Sequence, residues 1–134
     1  LNEASHLVIR ERQTPLFARH GLQHGEFDVL ATLRRSGERD GLTPTALFEA
    51  AMMSSGGMTA RIDRLEKAGL VERRPHPSDR RATLVRLTDK GFALIDAIMP
   101  SHQDTAQEAL SGLSVEEQKT LNVLLARLIA GLNG

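Results

Sequence analysis

Residues 72–91, with the sequence ERRPHPSDRRATLVRLTDKG, limit the folds open to this chain more than any other segment. Segments 71–74 and 83–87 are short strand candidates, and the charged segment 75–82 between them contains two prolines. Because proline has no backbone N–H to donate to a neighbouring strand, 75–82 is expected to be a loop. The sequence therefore predicts a small β-hairpin with a long, basic loop.

Two short helices are predicted before this hairpin. The Thr-Pro pair at 43–44 is typical of a helix start, and this helix should run to about Ala51. After a turn, Ser54 or Ser55 is expected to cap a second helix that Gly69 ends. Helix, turn, helix, strand, charged loop and strand is the order of a winged helix-turn-helix, whose second helix enters the major groove of DNA.

Helices are also predicted on both sides of this segment. Near the N-terminus, Pro15 predicts a break in an apolar helix. Thr88 can cap a helix that Pro100 should kink or interrupt. Ser114 and Glu117 have the spacing of a capping box, and leucines follow at intervals of three and four residues. The expected fold is mainly α with a small β-hairpin wing.

The distribution of charge agrees with a nucleic-acid ligand, although the formal net charge is zero. Residues 54–87 hold eight Lys or Arg against four Asp or Glu. Residues 1–53 hold six against seven, and residues 88–134 hold three against six. A localised basic segment marks an electrostatic contact better than the total charge does.

Three motifs strengthen this interpretation: LTPTAL at 42–47, SSGGMTARIDRLEKAGLVERR at 54–74 and DRRATLVRLTDKG at 79–91. Together they resemble the MarR family of bacterial transcription regulators over roughly residues 24–92. The resemblance implies a homodimer, most often a repressor, in which two winged modules bind a palindromic DNA operator. It also implies one domain over 1–134, with a winged helix-turn-helix at 24–91 and N- and C-terminal dimerisation helices at 1–22 and 92–134.

The apolar stripe of the last helix has two interpretations. It either packs against a second copy of the chain or covers its own chain's core, and both can hold at once. We favour the dimer, because one small module offers this helix little surface to cover.

The predicted DNA contacts lie on the helix pair and on the wing. By the resemblance, Arg81 occupies the family's minor-groove position, and Asp79 would orient it through an ion pair. Ala60 stands where the family often has arginine, which shifts weight to the neighbouring arginines. The full predicted set is Thr45, Ser54, Ser55, Gly57, Thr59, Ala60, Arg61, Arg64, Asp79, Arg80 and Arg81.

Asp28, Arg61 and Arg73 resemble residues of a urate-responsive branch of the family, in which an acidic residue and arginines bind an anionic aromatic ligand. The resemblance implies such an effector between the dimerisation helices and the DNA-binding module. That branch also uses a tryptophan on an N-terminal helix, and this chain has none. Alternatively, Asp28 pairs with an arginine for structure, and Arg61 and Arg73 contact only DNA.

Other classes of function have weaker support. Ser54, His76 and Asp79 are residue types used in hydrolysis, but no catalytic motif surrounds them, so no enzyme is predicted. His20 and His24 have a metal-ligand spacing, but the five histidines are expected to be surface residues, and neither metal nor cofactor is predicted.

The remaining alternative is a winged helix used for protein–protein contact without DNA or effector. No segment approaches the roughly 20 apolar residues of a membrane span, and no signal peptide is recognisable, so a cytoplasmic protein is expected.

Overall fold

The structure is a computed structural model that describes residues 1–51 and 57–134. The prediction of a mainly helical chain with one antiparallel hairpin is confirmed. Among these residues, no helix combines the length and hydrophobicity that crossing a bilayer requires. The elements are α1 (Asn2–Val8), a π-helical segment (Ile9–Gln13), α2 (Thr14–Arg19), α3 (His24–Ser36), α4 (Pro44–Ala51), α5 (Met58–Lys67), β1 (Val71–Pro75), β2 (Thr83–Leu87), α6 (Asp89–Ala109) and α7 (Val115–Asn133).

The helix pair α4 and α5 packs on α3 through one apolar face of each helix. Leu47 of α4 is fully buried. On α5, Met58, Ile62 and Leu65 are buried at intervals of four and three residues, as predicted. Burial of this face leaves the other side of α5 in solvent.

The C-terminal end of α5 agrees with the prediction, and the N-terminal end does not. Gly69 adopts a left-handed conformation (φ 75°) just past the helix, as expected for a C-cap. At the start, Gly57 is the N-cap residue with φ 91°, and α5 begins at Met58. The helix therefore starts later than a cap at Ser54 or Ser55 would place it, and both serines lie outside the described residues.

The hairpin pairs β1 with β2 in antiparallel register, with Val71 opposite Leu87 and Pro75 opposite Thr83. One further rung was not predicted. The Leu42 N–H donates to the Val85 carbonyl at 2.9 Å, and the Val85 N–H donates back at 2.8 Å. This rung ties the segment before α4 to the base of the wing.

Neither proline interrupts its helix, so the break expected at Pro15 and an interruption at Pro100 are both wrong, while a kink at Pro100 stays a prediction. Pro15 lies inside α2, and the π-helical segment just before it keeps the chain helical from Asn2 to Arg19. A wider π turn accommodates a residue that cannot donate to the carbonyl four positions earlier. Pro100 lies inside α6 and is exposed, as is Asp96, whose carbonyl loses its helical donor. Water can satisfy an exposed carbonyl, while buried Ile95 and Ile98 anchor this helix in the core.

Two predicted helix starts are confirmed in detail. The Thr88 hydroxyl accepts from the Gly91 N–H at 3.1 Å and begins α6. Ser114 and Glu117 exchange hydrogen bonds at 2.8 and 3.1 Å as a capping box for α7. The bond from the Ser114 backbone also lowers the pKa of the Glu117 carboxyl below its usual value.

Helix α7 stands apart from the core and buries none of its residues. Leu121 is partly buried, and the other large apolar side chains are between 40% and 78% exposed; they are Val115, Val123, Leu124, Leu125, Leu128, Ile129 and Leu132. The interpretation in which this helix covers its own chain's core does not fit this arrangement. We call Leu124, Leu125, Leu128, Ile129 and Leu132 the α7 stripe.

Gly91 allows close contact between the start of α6 and the segment that leads into β1. A Cβ atom at this position would collide with the carbonyl oxygen of Leu70. We expect Gly91→Ala to lower the free energy of unfolding by about 1–3 kcal/mol, because backbone must shift to admit the methyl group. Urea denaturation followed by circular dichroism measures the change. Gly112→Ala is the matched control, since a Cβ there meets nothing within 4 Å; equal stability of the two variants would contradict the prediction.

Candidate functional site

The wing loop is held in shape by hydrogen bonds from its own side chains to its backbone. The Asp79 carboxylate accepts from the Arg81 N–H at 2.9 Å. The Nδ1 atom of His76 accepts from the N–H groups of Ser78 and Asp79, both at 3.1 Å. The His76 N–H donates to the Ala82 carbonyl at 3.2 Å and closes the loop.

The expected ion pair between Asp79 and Arg81 is not what the structure contains. No ion pair within residues 1–51 and 57–134 joins these two side chains. Asp79 binds the backbone of Arg81 instead, because an aspartate in a turn readily reaches the N–H two residues ahead. The carboxylate therefore fixes the loop and leaves the Arg81 guanidinium available.

The five arginines of residues 72–91 divide into two groups. Arg73, Arg74 and Arg86 at the base of the wing are paired with carboxylates. Arg80 and Arg81 at the tip are exposed and form no ion pair with any part of the chain that the structure describes. The charge of the tip therefore faces solvent and is available to a ligand.

Several other predicted DNA contacts are exposed near α5. Thr59 and Ala60 lie on the outer face of α5, and Gly57 is exposed at its N-cap. Thr45 is exposed on the first turn of α4. The predicted contacts at Ser54 and Ser55 fall outside the described residues.

Arg61 and Arg64, expected on the flanks of the DNA-reading face, fold back towards α3. Arg64 donates to the Gln23 side chain at 3.2 Å and lies 3.9 Å from the Glu26 carboxylate. The Arg61 side chain crosses Gly25, where a Cβ atom would collide with it. The carboxylates at the start of α3 attract both guanidinium groups.

Arg73 joins the wing to helix α5. Its guanidinium donates to Glu66 at 2.7 Å and to Asp63 at 2.6 Å, and its backbone N–H donates to Glu66 at 3.1 Å. The hydrogen bond with Asp63, supported by Glu66, raises the pKa of Arg73. Paired carboxylates of this kind give strong, directional hydrogen bonds, so α5 and β1 are held as one unit.

The structure thus separates the three predicted effector residues. Arg61 is among the charged groups near Asp28, together with His24, Arg35 and His102. Arg73 is occupied by Asp63 and Glu66 and is not one of those groups. We call His24, Asp28, Arg35, Arg61 and His102 the Asp28 cluster.

The Asp28 carboxyl is the half-buried centre of this cluster. Its burial raises its pKa above the usual 3.8, and the charges of His24, Arg35 and Arg61 oppose that shift. The nearest partner is His24, whose Nε2 lies 3.5 Å from Asp28 Oδ2. A carboxyl in this setting responds strongly to any further charge brought beside it.

Three buried nitrogen atoms of the Asp28 cluster have no hydrogen-bond partner in the described part of the chain. They are Nδ1 of His24, Nη1 of Arg61 and Nδ1 of His102. Leaving a buried polar atom unpaired costs about 1–3 kcal/mol. Unpaired atoms that gather around one carboxyl are a feature of a binding site more than of a structural core.

Aromatic rings form one side of the cluster. Phe17 and Phe27 are stacked with centroids 4.2 Å apart. His102 lies 4.9 Å from Phe27, and His24 lies 5.5 Å from Phe17. Burial is the main cause that lowers the pKa of His102, which favours its neutral ring. Phe17 and Phe27 are themselves buried, at 0% and 4% exposure, so the cluster lies directly against the aromatic part of the core.

His24 and His102 were expected to be surface residues, and both are only partly exposed, with 39% of the His24 side chain accessible to solvent. The sequence held one signal for His24, which precedes Asp28 by one helical turn. It held none for His102, which reaches the cluster from α6 through tertiary packing. Among the described residues, no group of three or more potential ligands could hold a metal ion.

The fold and the basic wing define a winged helix-turn-helix protein, and comparison with known proteins narrows the class. The profile of the MarR family matches residues 20–82. The transcriptional regulator PecS of Dickeya dadantii is 39% identical over 122 residues, which cover 91% of this chain and 74% of PecS. The chain belongs to the MarR family and is a DNA-binding transcription regulator.

Solved structures agree with this assignment. A Cys-to-Ser mutant of MarR from E. coli, in complex with operator DNA, has a TM-score of 0.81 and 30% identity, covering 96% of this chain and 92% of that one. BpsR of Bordetella bronchiseptica, studied for regulation of its DNA binding by 6-hydroxynicotinic acid, has a TM-score of 0.83 and 25% identity, covering 95% and 88%. These relatives are named as regulators of transcription or of DNA binding and not as enzymes, in agreement with the prediction.

The role of Asp79 can be tested with two substitutions. We expect Asp79→Ala to weaken DNA binding about fivefold, because loss of the bond to the Arg81 N–H, worth about 1 kcal/mol, loosens the loop. Asp79→Asn should bind nearly as well as the unchanged protein, since its amide oxygen accepts from the same N–H. Fluorescence anisotropy on labelled DNA from the region upstream of the gene measures both. Equal losses in both variants would restore the ion-pair explanation.

Proposed function

We propose that this protein is a ligand-responsive repressor that binds a palindromic operator as a homodimer and is released by a small anionic aromatic ligand. The observation that carries the DNA-binding part is the wing tip. Arg80 and Arg81 are exposed and unpaired within the described chain, on a loop that holds its own shape. A pre-shaped loop loses less entropy on binding than a mobile one.

On the operator, α5 lies in the major groove and the wing reaches the adjacent minor groove. Thr59 and Ala60 on the outer face of α5 are positioned for base edges and sugar. Thr45 is positioned for a phosphate, and Arg81 for the negative potential of a narrow minor groove. Arg61 and Arg64 join this surface if they leave the start of α3, where the DNA-free chain holds them.

The dimer forms through the terminal helices, 1–22 and 92–134. The α7 stripe supports this proposal, because its side chains remain largely exposed in the single chain. A two-fold axis through such an interface would place two α5 helices about 34 Å apart, one turn of DNA. The paired half-sites would then make the operator palindromic.

The effector binds at the Asp28 cluster, beside Arg61. A ligand of the kind exemplified by urate combines a negative group for the arginine with a flat ring that packs beside the partly exposed rings of His24 and His102. Arg73 then acts indirectly, because it connects helix α5 to the wing and does not lie in the effector site. The regulation of DNA binding by 6-hydroxynicotinic acid in BpsR supports this class of ligand. A coupling free energy of about 1–3 kcal/mol between ligand and DNA would suffice for release.

DNA binding is tested with Arg81→Ala. We expect the variant to bind roughly 5- to 150-fold more weakly, because it loses one arginine–DNA contact of about 1–3 kcal/mol. The dependence of log affinity on log salt should become shallower by roughly one unit.

Arg39→Ala serves as the matched control, since Arg39 is exposed between α3 and α4, outside the proposed DNA contacts and the terminal helices. Salt-insensitive binding of the unchanged protein would favour the alternative, a module for protein–protein contact. An Arg81→Ala variant with unchanged affinity at low and moderate salt would remove the wing from the mechanism.

Dimerisation is tested with Leu125→Glu. We expect this variant to be monomeric at micromolar concentration, since the substitution places an unpaired carboxylate within a buried apolar interface. Light scattering coupled to size-exclusion chromatography gives the mass. Ala130→Glu adds the same charge to the opposite side of α7 and should remain dimeric. A stable Leu125→Glu dimer would show that the α7 stripe is not the interface.

A further inference from the structure

Arg64 has two destinations within reach of its side chain. It follows Ala60 of the outer face by four residues, so the two residues lie on the same side of α5. A helical side chain leans towards the N-terminus of its helix, and the small side chain of Ala60 leaves room there for a long one. In the DNA-free chain, however, Arg64 turns away from this face and binds the start of α3.

At the start of α3, Arg64 contacts one amide and one carboxylate. Its Nη2 atom donates to the side-chain oxygen of Gln23 at 3.2 Å, and its Nε atom lies 3.9 Å from the Glu26 carboxylate. The Glu26 side chain is only 9% exposed, whereas that of Arg64 is 48% exposed. The carboxylate is thus fixed by its surroundings, and the arginine is the partner that can leave. We call these interactions the Arg64 contact.

Gln23 and Glu26 keep their positions without help from Arg64. They form the capping box of α3, in which the Gln23 N–H donates to the Glu26 carboxylate at 3.1 Å. The positive end of the helix dipole also stabilises an acidic side chain in the first turn. Departure of Arg64 therefore leaves the Glu26 charge with other stabilising partners, and the Arg64 contact can open without unfolding α3.

We propose that Gln23 and Glu26 are positioning residues that restrain DNA binding, by holding Arg64 off the operator until DNA competes for its guanidinium group. This inference rests on the proposed contact of Arg64 with DNA and needs no effector. An arginine exchanges such partners by rotation about its own side-chain bonds. A group that is free for only a fraction of the time binds its ligand more weakly by that fraction. The strength of the Arg64 contact therefore sets part of the affinity for DNA.

The test measures the affinity of the full chain by fluorescence anisotropy on two labelled duplexes, one from the region upstream of the gene and one of random sequence. Glu26→Gln removes the charge beside Arg64 and keeps the capping box, in which glutamine also serves. We expect this variant to bind about two- to fivefold more tightly, the effect of losing a partly exposed ion pair. Glu38→Gln, which removes the same charge at an exposed position outside the Arg64 contact, is the matched control and should bind as the unchanged protein does.

A double-mutant cycle shows whether the gain acts through Arg64. Arg64→Ala alone should weaken binding by roughly fivefold or more, because an arginine–DNA contact is lost. In the Arg64→Ala background, Glu26→Gln should change the affinity by less than about 1.5-fold, since no arginine remains to be released. A gain that persists without Arg64 would overturn the inference, because it would arise from weaker repulsion between Glu26 and DNA.

Gln23 is exposed and offers a second pair of variants whose effects have opposite signs. Gln23→Glu places a carboxylate beside the Arg64 guanidinium and should weaken DNA binding about two- to fivefold. Gln23→Ser keeps a favoured N-cap residue but is too short to reach Arg64, so it should bind more tightly. Equal affinities of these two variants would overturn the inference even if Glu26→Gln failed to fold.

Failure of this inference can be distinguished from failure of DNA binding itself. Salt-sensitive binding of the unchanged protein, together with unaltered affinity in all the variants at positions 23 and 26, would keep the regulator and remove the Arg64 contact from its mechanism. Absence of binding to both duplexes would overturn the DNA-facing role of Arg64 together with the proposed DNA surface.

Discussion

Burial of one face of α5 is the constraint on which the rest of the interface depends. Met58, Ile62 and Leu65 lock this helix against the core. Because a helix has 3.6 residues per turn, the same packing fixes which side chains face solvent. Arg73 then extends this order to the wing, since two carboxylates of α5 hold the first strand of the hairpin. The backbones of α5 and of the wing are therefore held together as one unit.

Most of the fold could be predicted because its signals are local. The caps at Thr88 and Ser114 act within three residues of the chain, and the glycine at position 69 acts within one turn. The prolines misled the prediction for a physical reason. At Pro100 the lost helical hydrogen bond costs little, because the unpaired carbonyl is exposed and nearby isoleucines are buried in the core. Neither the exposure nor the burial can be read from the local sequence.

The candidate site was less predictable, because its members meet only through tertiary packing. The sequence shows the wing arginines as a group. It does not show that those at the base of the wing are paired and those at the tip are not, because this depends on which carboxylates lie nearby in the fold. The same limit applies to the Asp28 cluster, because His102 of α6 comes near the Asp28 carboxyl of α3 only in the folded chain. Arg61 is the clearest example of this limit. Its position on α5 is compatible with a side chain that faces solvent, but in the fold the side chain lies against Gly25 at the start of α3.

The self-contained hydrogen bonding of the wing has a consequence for how such regulators diverge. His76 and Asp79 hold the loop through backbone groups alone, so no contact in the described chain requires particular side chains at positions 80 and 81. Evolution can vary those two positions without disturbing the loop or the hydrophobic core. Single substitutions at positions 80 and 81 can therefore change the preferred operator, and the protein still folds after each of them. The separation of shape from sequence readout makes the tip an accessible starting point for engineering new DNA targets.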